Sequence, residues 1–250
     1  MYKALVIFLV YSLSVPAHSF MNIENLRRTA KSGLHGNGSI RISGALGNTE
    51  NFLSDTSLSN FFNTKDSEWL LFLNHRYGEA FSEKNADRGK AHIRFTYKMN
   101  PRWGLESFTQ GEYDDFQRLT SRYIYGQAFR YKAYEGKVSS LHLGFGGFYE
   151  WEMVQRATSG ESLLEIENFR GNIYASFHWD VQERDTFFLT LYYQPFRAND
   201  FRVLSSSGYQ IPLNSYLSLS LEVNYNYDSR PPEGIERTDL RYFTTLNYTY

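Results

Sequence analysis

Between Tyr216 and Asp228 the chain alternates with a period of two. Leu217, Leu219, Leu221, Val223, Tyr225 and Tyr227 share one face, and Ser218, Ser220, Glu222, Asn224, Asn226 and Asp228 share the other. Successive side chains of a strand point to opposite sides, so this pattern predicts an extended segment with one apolar and one polar face. Ala91, Ile93, Phe95, Tyr97 and Met99 oppose Lys90, His92, Arg94, Thr96 and Lys98 in the same way, and Leu141 to Trp151 alternates likewise. Twelve such segments are predicted, at about 33–46, 52–63, 68–81, 88–99, 103–114, 119–132, 140–154, 164–181, 186–195, 200–211, 216–228 and 237–250.

The breaks between segments fall into two classes. Those at 64–67, 100–102, 133–139, 182–185 and 212–215 have tight-turn chemistry or modest length, and those at 47–51, 82–87, 115–118, 155–163, 196–199 and 229–236 read as loops. The classes alternate strictly, as an up-and-down barrel requires when its turns lie at the periplasmic end and its loops outside. The expected fold is all-β: a single transmembrane antiparallel up-and-down β-barrel of about twelve strands, of outer-membrane type. A soluble sandwich or lipocalin-like barrel would turn its apolar residues inward, and twelve strands would leave an interior too wide for side chains to fill.

Aromatic content sharpens this expectation, with 20 Tyr and 20 Phe against 4 Trp. Rings that are half apolar and half polar suit a membrane–water boundary. Trp69, Trp103, Trp179, Phe62, Tyr97, Tyr131, Phe187 and Tyr216 are placed in an inner girdle near the turns, and Tyr77, Phe108, Tyr123, Trp151, Phe169, Tyr193 and Tyr225 in an outer one. The last segment ends on Tyr250, and a final aromatic on an alternating strand is expected to engage the barrel-assembly machinery. At the other end, Lys3, the apolar run Ala4 to Val15 and the small residues of Pro16-Ala17-His18-Ser19 predict a secretory signal over residues 1–19. A polar periplasmic segment over 20–32 and the barrel over 33–250 follow. The expected location is the bacterial outer membrane, with lipid and lipopolysaccharide as partners. A net charge of −1 offers nothing to nucleic acid, and the absence of cysteine excludes disulfides and thiolate chemistry.

If the apolar face meets lipid, the opposite face lines the lumen. Hairpin closure then places Asp55 opposite Arg76, Lys90 opposite Glu112 and Arg122 opposite Glu150, and brings Asp228 near Arg237. These four pairs predict a belt of ion pairs near the loop end. Arg94, Glu106, Arg130, Arg170, Arg202, Glu222 and Arg241 are also expected to point inward, a mixture of signs that predicts weak selectivity or a plugged lumen. The histidines of the mature chain, His35, His75, His92, His142 and His178, show no metal-ligand spacing. No catalytic, cofactor or metal site is predicted, and the protein is not expected to be an enzyme. Glycines in Gly144-Phe-Gly-Gly147 are expected to ease curvature or make room for bulky neighbours.

Several stretches resemble a family of salt-induced outer membrane proteins of unknown function. They are Gly47-Asn48-Thr49, His75-Arg-Tyr-Gly78, His92-Ile-Arg-Phe-Thr-Tyr97, Pro101-Arg-Trp103, Glu106 to Tyr113, Arg118 to Arg122 and Gly144 to Glu150. The resemblance implies a barrel and a link to salt, but carries no substrate and no catalytic residues. Three functions follow in order of expectation: a narrow passive channel for small solutes or ions, a non-conducting barrel serving envelope integrity, and a lipid-acting enzyme.

Overall fold

The structure is a computed structural model that describes residues 32–46, 50–155, 163–181, 185–214, 217–231 and 234–248. The expected signal segment, residues 20–31, Gly47-Asn48-Thr49, Tyr216 and Tyr250 lie outside the described residues.

Twelve strands follow one another: β1 (Gly33–Ala45), β2 (Asn51–Asn63), β3 (Ser67–Ala80), β4 (Glu83–Lys98), β5 (Trp103–Asp114), β6 (Leu119–Glu135), β7 (Ser139–Gln155), β8 (Leu163–Val181), β9 (Asp185–Arg197), β10 (Asp200–Pro212), β11 (Leu217–Asp228) and β12 (Thr238–Tyr248). They form one antiparallel sheet whose order in space is the order in sequence. Among the described residues each strand pairs with its chain neighbours, so each predicted segment could become one strand without long-range rearrangement.

The turn end is closed by side chains that mimic backbone. Thr64 N–H donates to the Ser67 carbonyl at 2.8 Å, and the Thr64 hydroxyl accepts from Ser67 N–H at 3.0 Å. Asn100 Oδ1 accepts from the N–H groups of both Arg102 and Trp103 at 2.9 Å, and Asn214 Oδ1 accepts from Leu217 N–H at 2.9 Å. Such Asx and Ser/Thr turns stand in for a missing backbone bond. At the loop end, Asp114 Oδ1 accepts from Phe116 N–H and Gln117 N–H and so caps the short 3₁₀ turn Asp115–Gln117.

Two expectations about connections are corrected. The loop at 82–87 does not form: β3 and β4 run on to a two-residue turn at Phe81 and Ser82, both left-handed at φ 51° and 62°. Two-residue turns of that hand match the twist of a hairpin, so pairing can continue to the tip. The expected loop at 196–199 likewise shrinks to the two residues between Arg197 and Asp200. Connection length therefore does not separate the two ends throughout, although the stretches between β1 and β2, β7 and β8, and β11 and β12 all lie at the loop end.

The two faces are inverted relative to a soluble protein. Ile93, Phe129, Leu143, Phe145, Ile173, Leu189, Leu191, Leu221 and Val223 stand exposed on the outside. Inside, Glu106 and Glu150 are completely buried, with Arg94, Arg122, Arg130, Arg170 and Arg202 beside them. An apolar surface of this extent is unfavourable in water at about 25 cal/mol per Å² and suits lipid. Along β8 the outward side chains are apolar or small from Phe169 to Trp179, then carboxylates at Glu167 and Glu165. The ten steps from Phe169 to Trp179, at about 3.3 Å rise and about 40° tilt, cover about 25 Å, the height of an outer-membrane apolar band.

Rings gather at the turn-end boundary, with Trp69 against Phe95 at 4.5 Å between centroids and Trp103 against Tyr131 at 4.6 Å. Phe108 corrects the expected outer girdle. It lies on the Glu106 face of β5 and is buried in the interior, stacked near His92 and tilted against Phe148.

Candidate functional site

The polar interior has three levels. Nearest the loop end is a network centred on Glu150 of β7. Its carboxylate accepts from Arg170 Nε of β8 at 2.9 Å and from Arg202 Nη1 of β10 at 2.5 Å, with Arg122 Nε of β6 at 3.5 Å. Glu152 binds Arg122 Nε at 2.5 Å and Arg202 Nη2 at 3.0 Å. Outward from this centre run Arg122–Glu112 at 2.7 Å, Arg170–Asp200 at 2.7 Å, Arg202–Asp228 at 2.9 Å and Lys90–Glu112 at 3.4 Å. The Arg202–Glu150 pair joins strands three apart, about 14 Å along a flat sheet. Only a sheet curled around its polar face lets these two side chains meet.

The sequence-derived pairs distribute unevenly. Asp55 and Arg76 face each other across β2 and β3, 3.9 Å apart, and Lys90 faces Glu112 across β4 and β5. Arg122 faces Glu152 rather than Glu150, because Tyr134 and Glu135 stay in the ladder where a loop was expected and a bulge lies at Lys132/Tyr134. Arg122 still lies within 3.5 Å of Glu150, diagonally. The last loop does bring Asp228 near Arg237, with Asp228 N–H donating to the Arg237 carbonyl at 2.9 Å, but the Asp228 carboxylate binds Arg202 of β10 at 2.9 Å and the Arg237 side chain is exposed. Glu222 and Arg241 line the interior half-buried, with Arg241 Nε 3.4 Å from Asp239.

The middle level is aromatic. Tyr174 of β8 donates its hydroxyl hydrogen to Glu106 Oε2 at 2.8 Å and accepts from Arg130 Nη1 at 3.2 Å, and Arg94 Nη1 is 3.5 Å from the same Glu106 oxygen. Tyr174 stacks on Tyr192 at 5.0 Å, while Phe108, Phe148 and Phe188 fill the same depth. Glycine makes this layer possible. A Cβ at Gly144 would sit 2.0 Å from the Tyr174 ring, and one at Gly126 would lie 2.4 Å from Phe108 and 2.7 Å from Phe148.

Below this layer, at the turn end, a cavity of about 710 Å³ opens between the β2–β3, β4–β5 and β6–β7 turns. Thr96, Arg130, His142, Ser176 and His178 line its walls, with Lys65, Arg102 and Lys137 among the turn residues at its rim. Sequence reading missed this cavity, as it missed Glu152, Asp200 and Tyr174. Glu152 carried a signal, since it shares the face of Glu150. Among the described residues no group of His, Asp and Glu is placed to hold a metal ion.

A polar interior wrapped in an apolar, ring-bordered exterior defines a membrane-spanning antiparallel β-barrel. Residues 42–250 match the model of a family described as "Protein of unknown function, DUF481", and the chain belongs to that family. No curated protein matches the chain. Solved structures with a similar course include a KdgM porin in complex with disordered oligogalacturonate, at TM-score 0.46 and 11% identity, covering 87% of this chain and 99% of that one. A bacterial polysaccharide outer membrane secretin is similar at TM-score 0.48 and 10% identity, covering 87% and 91%. The β domain of the Bordetella autotransporter Brka is similar at 0.42 and 9%, covering 87% and 97%. These are likenesses of shape and carry nothing about what the chain binds.

Proposed function

We propose that this protein is a narrow passive channel of the bacterial outer membrane for small solutes or ions, with its turns in the periplasm and its loops outside. The inside-out distribution of polarity carries the reading, because an apolar belt around buried charge is stable only with lipid outside and water or ions within. The interior polar atoms His92 Nε2, Asn172 Oδ1 and Asn224 Oδ1 are buried with no protein partner among the described residues. Buried polar atoms are normally satisfied by protein or water, so these favour a hydrated lumen. The cavity at the turn end supplies an entrance, and the Glu150 network and the Tyr174 layer supply a constriction. A part in salt or osmotic stress accords with the sequence resemblance to salt-induced outer membrane proteins.

The test is planar-bilayer conductance of purified protein whose folding is confirmed by heat-modifiable electrophoretic mobility. Small discrete steps are expected. Persistent silence from folded protein would overturn the reading and leave a second one, a sealed barrel serving envelope integrity. The span of Arg–carboxylate bonds from β6 to β11 favours that alternative. It predicts a permeability defect on deletion without any conductance.

A further inference from the structure

We propose that the turn-end cavity is a binding vestibule for small polyanions, solutes carrying two or more carboxylate or phosphate groups. The cavity is lined by six cationic side chains, Lys65, Lys98, Arg102, Arg130, Lys132 and Lys137, against three carboxylates, Asp66, Glu68 and Glu135. Two of those carboxylates are already engaged. Glu68 lies 3.6 Å from Lys98 Nζ, and Glu135 lies 2.5 Å from Lys132 Nζ. Lys65, Arg102 and Lys137 have no ionic partner among the described residues, and Asp66 is the one remaining carboxylate in the lining. Each of the three surplus cations comes from a different turn, and the three turns follow one another along the rim.

This arrangement suits a multivalent anion better than a single charge. Three cations on three consecutive turns can each meet one anionic group, whereas a monovalent ion satisfies only one of them. The volume of about 710 Å³ falls within the range of small-molecule pockets. The surrounding barrel wall and its apolar belt give a low-dielectric flank, which focuses the field of clustered charges into a cleft. Deeper in, Arg130 sits at the inner wall beside the Tyr174–Glu106 layer, with the Ser176, His142 and His178 side chains nearby as hydrogen-bonding groups. The ligand therefore meets exposed turn cations first and more deeply set polar groups after.

The vestibule rests on the channel reading for its place on a transport route, but binding is measurable without conduction. Isothermal titration of folded barrel in detergent at low ionic strength is run with citrate, pyrophosphate and neutral maltotriose. Saturable binding of citrate, pyrophosphate or both is expected, with none of maltotriose, and the two anions tell a polycarboxylate site from a phosphate site. The triple variant Lys65→Glu, Arg102→Glu, Lys137→Glu alters only exposed turn positions, and should weaken anion binding at least about tenfold while the barrel still folds. Equal binding to wild type and triple variant, or no binding to either, overturns the proposal. In bilayers under a KCl gradient, the wild-type reversal potential should indicate anion preference and the triple variant's should move toward cations. A conducting protein with the same reversal potential in both forms keeps the channel and loses the vestibule. A silent protein that binds citrate loses the channel and keeps the vestibule.

Discussion

The two ends of the lumen hold similar residue types in opposite conditions. At the loop end, Lys90, Arg122, Arg170 and Arg202 meet Glu112, Glu150, Glu152, Asp200 and Asp228, nearly all out of contact with water and bonded to one another. At the turn end, four lysines and two arginines face three carboxylates, and the rim side chains are exposed. The cations differ in kind as well as in setting. A planar arginine fork can satisfy two carboxylates in fixed geometry, which suits a permanent brace, whereas lysine is a hydrated point charge on a flexible stem. Pairing and burial, not charge count, decide whether a lumen charge holds the wall or remains available to a solute.

The largest expected effect tests the brace. Glu150→Ala removes the carboxylate that Arg122, Arg170 and Arg202 share; each arginine keeps another carboxylate, so what is lost is the buried charge-assisted hydrogen bonds from Arg170 and Arg202, about 1.5–3 kcal/mol each. Urea unfolding in lipid vesicles should show that loss, and conductance per channel should rise because the constriction opens. An unchanged midpoint would mean that the network only decorates the interior. Next in size, Ile173→Arg places a charge on the outward face near the middle of the apolar run of β8, and should cost about 2–4 kcal/mol if that face meets the membrane midplane. The same unfolding experiment reads it, and a neutral result would remove the lipid-facing assignment.

A smaller effect is expected at Gly144→Ala. The new methyl group would fall 2.0 Å from the Tyr174 ring, and overpacking of this kind costs about 1–3 kcal/mol. Displacement of the ring should appear as a conductance change larger than that from alanine at the solvent-exposed Gly136 turn. The smallest stability effect belongs to Lys137→Ala, which should leave unfolding unchanged and alter only ion preference. Salt gives the same contrast without mutation. Raising ionic strength to about 1 M shrinks the Debye length to about 3 Å, so selectivity set by the rim should fade while the buried brace persists.

Strand existence and order were legible because hairpin topology makes the pairings among the described residues local. The facing pairs Asp55–Arg76 and Lys90–Glu112 could be read by counting from their turns, since no bulge intervenes between turn and pair. Arg122 could not, because extra pairing through Glu135 and the bulge at Lys132/Tyr134 moved its partner by two residues. Phe108 was misplaced by reasoning from height along the strand and not from the face it shares with Glu106. Arg202–Glu150 and Arg170–Asp200 join strands that are not neighbours, so they depend on curl and tilt, which alternation does not encode. The vestibule escaped notice for the same reason. Its cations are scattered over three turns and meet only when the sheet bends.

The outward carboxylates of β8 have a consequence for what lies beyond the membrane. Trp151 Nε1–H donates to Glu165 at 2.5 Å, and Tyr149 donates its hydroxyl hydrogen to Glu167, so these rings are tied to charge just above the last apolar position. β8 is the longest strand at 19 residues, and about six of them stand past that level, about 15 Å of ladder at the usual rise and tilt. In the proposed orientation this hairpin is a stalk on the cell surface. It would be open to an antibody, a bacteriophage tail fibre or a protease arriving from outside.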